Sequence, residues 1–213
     1  MAIELYTGFV GSGKSFCATK EGIRIAQAKL GYRTVLANFP VKKKKTFLSK
    51  FRKKKYKPLR WIYKTNDELT VKFLVDLSKE KKWTEKEGSA LLIFDEASIK
   101  FNARTYQQAD RMDWINFLSQ SRKLGYDVIF ITQDRRMLDR QIRNLCEYES
   151  VFKKLNNMFF FKFLNLFRIS LFAKVRYWNG TNAMYTKGQL TLIKFNKKIA
   201  DRYDTMKIFD DIA

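Results

Sequence analysis

Four short stretches rich in apolar and β-branched residues, 3–9, 34–39, 90–96 and 126–132, punctuate the first two thirds of the chain. The third is apolar without interruption from Ala90 to Phe94, the pattern of a strand buried on both faces of a parallel sheet. Between these runs the apolar positions fall at helical spacing. Phe16, Ala18, Ile23, Ile25 and Ala26 predict a helix over 14–30 closed by Gly31. Leu69, Phe73, Leu74 and Leu77 predict one over 68–79, capped by Thr65 or Asn66. Met112, Ile115, Leu118 and Leu124 predict a third over 110–124, stopped by Gly125. A short strand is expected at 61–64. Strands alternating with helices argue an α/β fold with a mostly parallel sheet flanked by helices.

From Tyr148 the pattern changes to strands at 151–155, 159–163, 169–177 and 189–195. Asn179-Gly180 reads as a turn between two of them, and a short helix is expected over 197–203. The expected organisation is a core over 1–150 and a β-rich extension over 151–213 packed on it. That extension is either an antiparallel continuation of the sheet or a small β appendage.

Charge changes this picture. The 213 residues carry 43 Lys and Arg against 21 Asp and Glu, a net charge of +22. An AT-rich genome favours Lys over Arg, but it does not create an excess of bases over acids, so a polyanionic partner is implied. Residues 41–60 hold eleven bases and no acid, half of the net charge. Lys42, Lys43, Lys44, Lys45, Lys53, Lys54 and Lys55 are its densest part, with Phe47, Phe51, Tyr56 and Trp61 among or beside them. Bases interleaved with aromatics are the composition of a nucleic-acid contact, set against the alternative of a solvated loop. There is no histidine, and the two cysteines, Cys17 and Cys146, have no metal spacing, which argues against zinc sites and histidine acid–base chemistry. Both are read as small buried residues in a reducing compartment. The aromatic run at 158–175 carries Lys162, Arg168 and Lys174, so it falls short of a membrane span.

The candidate chemistry starts at Gly8-Phe9-Val10-Gly11-Ser12-Gly13-Lys14-Ser15, which fits G-x-x-x-x-G-K-[ST] between a strand and a helix. Glycines let main-chain N–H groups turn inward around an anion, and the helix N-terminus adds its own donors. This makes the chain a P-loop nucleotide binder, with Gly8, Val10, Gly11, Ser12, Gly13, Lys14, Ser15 and Phe16 around the phosphates of ATP. Lys14 would reach the β- and γ-phosphates, and Ser15 would ligate Mg²⁺. The run ending in Asp95-Glu96 fits the Walker B pattern, Asp95 holding Mg²⁺ through water and Glu96 orienting or deprotonating the attacking water. Gln133, at the end of the next strand, is placed to sense the γ-phosphate or position water. Glu96 and Gln133 together predict the additional-strand type of P-loop ATPase, in which the strand ending at Gln133 lies between the loop strand and the Walker B strand. Arg135, Arg136, Arg140 and Arg143 form a group from which a neighbouring subunit could draw a transition-state cation, and Arg143 is taken as the catalytic candidate. A P-loop kinase of a small molecule, and a scaffold that binds nucleotide and polyanion without turnover, are the competing readings.

Several of these residues also carry a family likeness. The phosphate loop, Leu36-Ala37-Asn38, Phe94-Asp95-Glu96-Ala97, the block from Ser121-Arg122-Lys123-Leu124-Gly125-Tyr126-Asp127 through Thr132-Gln133, and Ile142-Arg143-Asn144-Leu145 resemble the zonula occludens toxin (Zot) family. The likeness covers residues 1–150 well and the remainder weakly. It implies an assembly ATPase of filamentous phages, related to FtsK/HerA-type DNA motors and acting at the host inner membrane. The expected partners are viral single-stranded DNA or its nucleoprotein, further copies of the chain in a ring such as a hexamer, and a membrane-embedded assembly protein. The usual member continues into a membrane helix. None is expected in these 213 residues, so the expected location is the host cytoplasm or the cytoplasmic face of the inner membrane.

Overall fold

The apolar runs become the centre of one eight-stranded sheet, seen in a computed structural model that describes residues 3–28, 33–42, 59–104, 110–157, 170–179 and 188–203. In chain order its elements are β1 (Ile3–Thr7), α1 (Lys14–Ala26), β2 (Thr34–Ala37), β3 (Trp61–Tyr63), α2 (Val71–Glu80), β4 (Ala90–Phe94), α3 (Arg111–Ser119), β5 (Tyr126–Ile131), α4 (Arg140–Leu145), β6 (Tyr148–Lys154), β7 (Leu171–Trp178), β8 (Gln189–Lys194) and α5 (Lys197–Ala200). The spatial order is β3-β2-β4-β5-β1-β6-β7-β8. Strands β3 to β6 pair in parallel, and β7 and β8 add on antiparallel. Strand β5 lies between β1 and β4, the order expected of an additional-strand ATPase.

Successive side chains of the central strands serve opposite faces. Leu92 and Phe94 of β4 and Val128 and Phe130 of β5 pack with Leu74, Trp114, Phe117 and Leu118 of α2 and α3. Leu91, Ile93, Ile129 and Ile131 pack on the other side with Phe16, Ala18 and Ala26 of α1. Helices therefore cover both faces, which is why these strands read as continuous apolar runs. The C-terminal strands continue the sheet: β6 crosses the 150/151 position, running parallel to β1 before β7 returns against it.

Helix α2 begins at Val71 with Thr70 as its cap, later than expected. Thr65 and Glu68 do form a reciprocal capping pair, with Thr65 N–H on Glu68 Oε2 at 2.9 Å and Glu68 N–H on Thr65 Oγ1 at 3.3 Å, but it closes a separate turn. Helix α1 ends at Ala26 and α3 at Ser119, each shorter than its periodicity. Cys17 and Cys146 are buried free thiols, pushed up by burial to about 11 and about 12. The expected strand at 159–163 and the Gly180 half of the expected turn lie outside the described residues.

Candidate nucleotide site

The site forms where β1, β4 and β5 end side by side. Beyond β1 the loop turns back, with Gly8 N–H donating to Gln133 O at 3.1 Å and Ser12 N–H to Phe9 O at 3.2 Å. Gly8 (φ 141°) and Gly13 (φ 95°) sit where only glycine fits. A Cβ at the first would lie 2.5 Å from Phe152 O, and one at the second 2.7 Å from the Phe172 ring. Gly13 caps α1 without a side-chain hydrogen bond, and the first turn of the helix has no acid. The leading N–H groups are thus left for an anion. Ser12 Oγ is buried without a partner in the same loop.

Lys14 Nζ donates to Gly8 O at 2.7 Å and Phe9 O at 3.1 Å, which holds its ammonium inside the curl of the loop. Burial lowers its pKa, opposed by the charges of Glu96 and Asp95. Ser15 Oγ donates to Asp95 Oδ1 at 3.0 Å, so the hydroxyl and carboxylate expected to hold Mg²⁺ are adjacent. Such a pair of hard oxygen donors beside a phosphate cradle fits a hydrated Mg²⁺. Val10 is exposed, whereas Phe16 is buried against Phe172 and Phe195, with ring centroids 6.0 Å and 5.1 Å away.

Strand β4 delivers Asp95 and Glu96 to this pair. Glu96 adopts φ 47°, a left-handed conformation unusual for a residue with a side chain. Burial, then the charge of Asp95, raises its pKa, while Lys14 and a hydrogen bond with the Gln133 side chain act the other way. Gln133 therefore meets Glu96 directly, and its main chain anchors the loop as well. Five of the residues expected to carry catalysis and metal binding, Lys14, Ser15, Asp95, Glu96 and Gln133, converge at the strand tips and the start of α1.

A family model described as Zonular occludens toxin (Zot) matches residues 2–198. The chain belongs to the Zot family. It is 29% identical to the Gene 1 protein of Salmonella phage IKe over 160 residues, 74% of this chain and 42% of that protein. Its likeness to the Gene 1 protein of Enterobacteria phage fd is 26% over 166 residues, 74% of this chain and 44% of the relative. The Zot-family chain thus spans less than half the length of these relatives. The N-terminal domain of zonular occludens toxin from Neisseria meningitidis shares its fold, with a TM-score of 0.54 at 20% identity, covering 95% of this chain and 98% of that one.

The expected arginine group stands apart from this convergence. Arg143 donates to Arg135 O at 3.2 Å rather than to the loop or the carboxylates. Arg135 pairs with Glu149 at 2.9 Å, so the exposed side chains of Arg136 and Arg140 are the better placed of the four to meet a neighbour. Lys42 is exposed at the start of the basic segment, whereas Lys43, Lys44, Lys45, Lys53, Lys54 and Lys55 lie outside the described residues. Among the described residues no helix is long and apolar enough to cross a membrane.

Three features of the site carry no local motif. Asn38, at the end of β2, clamps Asp95: its Oδ1 accepts from Asp95 N–H and its Nδ2 donates to Asp95 O, both at 2.7 Å. The amide continues the β2–β4 ladder one step past its last pair. Phe172, Phe195, Ile199 and Ala200 build one wall of a cavity of about 340 Å³. Gly13, Lys14, Ser15 and Thr19 line it too, which sets an apolar surface beside the phosphate end. Tyr203 also lines this cavity and donates its hydroxyl to Asp95 Oδ2.

Proposed function

We propose that this chain is the ATP-hydrolysing engine of filamentous-phage morphogenesis, coupling turnover to the movement of viral DNA at the host membrane. The observation that carries the reading is the closing of the strand tips on the phosphate loop, Gly8 N–H on Gln133 O at 3.1 Å and Ser15 Oγ on Asp95 Oδ1 at 3.0 Å, with Glu96 next to Asp95. Membership of the Zot family and the phage Gene 1 relatives support the biological setting.

The chemistry follows from the residues. The uncapped start of α1 and Lys14 bind the phosphates, and the wall of Phe172 and Phe195 receives the base. Ser15 and Asp95 would hold Mg²⁺, which supplies charge neutralisation between the phosphates. Asn38 fixes the backbone from which Asp95 projects. Glu96 accepts the proton of the attacking water, and Gln133 holds the Glu96 carboxylate in place. A cation for the transferring phosphoryl group comes from a second copy of the chain, Arg136 and Arg140 being the exposed candidates.

ATP turnover is expected to rise severalfold with single-stranded DNA and to disappear in Lys14→Ala. Phosphate transfer to a small acceptor, with no response to DNA, would replace the motor by a kinase. Binding of nucleotide and DNA without turnover would leave a scaffold.

The basic segment is proposed as the DNA-binding surface. Replacing Lys42, Lys43, Lys44 and Lys45 by Ala is expected to flatten the slope of log affinity against log salt. The slope changes by about 0.7 for each phosphate of a single strand that is no longer neutralised. A slope equal to that of the parent would assign the segment to solvent.

A further inference from the structure

Tyr203 stands where the two candidate metal-holding side chains meet. Its hydroxyl donates to Asp95 Oδ2, while the Ser15 hydroxyl donates to Asp95 Oδ1 at 3.0 Å, so the two hydroxyls hold the two oxygens of one carboxylate. A hydrated divalent cation held by a hydroxyl and a carboxylate needs an oxygen position between them. The phenol holds the carboxylate oxygen that the Ser15 hydroxyl leaves open. A phenol is protonated at neutral pH, so this hydroxyl is a neutral donor and a poor metal ligand.

The same residue is stapled to the start of the basic segment. Its ring meets Phe39 edge-on at 4.7 Å, and its backbone forms an antiparallel bridge with Val41. Lys42 N–H donates to Arg202 O at 2.8 Å, and Arg202 Nε donates to Lys42 O at 3.0 Å. Residues 202–203 and 41–42 therefore move together or separate at these bonds.

We infer that Tyr203 is a place-holder at the metal site: Mg²⁺ arriving with nucleotide displaces its hydroxyl from the Asp95 carboxylate beside Ser15. The displacement is felt at Val41 and Lys42. The inference rests on the nucleotide reading of the site. It makes metal loading and the geometry at the mouth of the basic segment two readings of one equilibrium, which each biases by its preference for one state.

The test is equilibrium binding of a fluorescent non-hydrolysable ATP analogue across a Mg²⁺ titration. Tyr203→Phe keeps the ring on Phe39 and removes only the hydroxyl. Its Mg²⁺ midpoint is expected to fall about tenfold, the scale of one hydrogen bond to a charged group, with Mg²⁺-free affinity unchanged. An unchanged midpoint overturns the inference. A raised midpoint also overturns it and makes Tyr203 a support that holds Asp95 for the metal. In the unaltered protein, amide exchange at Lys42 is expected to quicken with analogue plus Mg²⁺, and not with analogue plus a chelator. Slowed or constant exchange counts against the inference independently of any variant. Failure of the unaltered protein to bind the analogue at any Mg²⁺ concentration removes the nucleotide reading and this inference with it. Binding with an unmoved midpoint removes this inference alone.

Discussion

Glu96→Gln is expected to slow ATP hydrolysis by about 10²–10⁴-fold, the usual contribution of a positioned general base, while nucleotide still binds. Glutamine keeps the length of the side chain but cannot take up a proton as a carboxylate does. The backbone is arranged for this one residue: φ at Glu96 is 47°, and its N–H is held by Asp95 Oδ1 at 3.1 Å. A left-handed conformation at a residue with a side chain costs of order 1–3 kcal/mol and persists only where its surroundings enforce it. Here it separates two consecutive acids, Asp95 beside Ser15 and Glu96 beside Gln133.

Burial and the Asp95 charge raise the Glu96 pKa, so the reactive carboxylate form is populated at higher pH than in an ordinary glutamate. Turnover should therefore rise with pH along an acid limb displaced upward from 4.5. Gln133→Ala removes a hydrogen bond that lowers this pKa, and is expected to move the limb further up. Full turnover in Glu96→Gln, measured at saturating ATP, would assign the proton to another group.

What could be read in advance followed from locality. The phosphate loop and the strand ending in Asp95-Glu96 are contiguous, and their residue types are dictated by main-chain geometry and phosphate charge. The additional-strand order was legible because Gln133 closes a buried run beside them. Asn38, Phe172, Phe195 and Tyr203 reach the site from β2 and from the C-terminal third, and no spacing along the chain marks such contacts. Asn38 falls within Leu36-Ala37-Asn38, one of the family-like stretches, yet only the register of β2 on β4 shows its amide against Asp95. The block from Ser121 to Gln133, the most telling of those stretches, is mainly structural. Tyr126 donates to Leu74 O at 2.8 Å, and Asp127 pairs with Arg33. Only its last residue, Gln133, reaches the candidate site, where its main-chain carbonyl accepts from Gly8 N–H. Helix ends were displaced because capping chemistry is local and one capping pair, Thr65 with Glu68, closes a lone turn.

Glu4→Ala is expected to lower unfolding stability by about 3 kcal/mol, the lower end of the range for removing one partner of a buried charge pair. Strand β1 reads as a plain buried strand, yet Glu4, its second residue, is 1% exposed. It accepts from Ser150 Oγ at 2.5 Å and pairs with Lys174 Nζ at 3.1 Å. Arg176 Nε stands 3.3 Å away as an ion-pair contact without hydrogen-bond alignment, its guanidinium lying over the Tyr148 ring. The register explains the cluster: Tyr6 lies beside Ser150 across β1 and β6, and Ser150 beside Arg176 across β6 and β7. Lys174 also reaches Tyr6 Oη at 3.0 Å, and Tyr6 donates to Glu21 of α1. Removing the Glu4 carboxylate leaves two largely covered cations facing each other. Their remaining exposure, 14% for the Lys174 side chain and 28% for that of Arg176, is what keeps the cost at the low end. For a chain of this size the loss corresponds to a fall in melting temperature of about 6–12 °C. Glu4→Met combined with Lys174→Met should recover part of it, because an apolar pair of similar volume has no desolvated charge to compensate. A melting temperature for Glu4→Ala equal to that of the parent would show that the carboxylate holds nothing in place. The consequence for function lies along the same strand. Three residues after Glu4 the chain leaves the sheet to form the phosphate loop, so the polar cluster that ties β1 to β6 and β7 also sets where Gly8 begins its turn. Weakened nucleotide affinity in Glu4→Ala, at a temperature where the variant is still folded, is the expected sign of that connection.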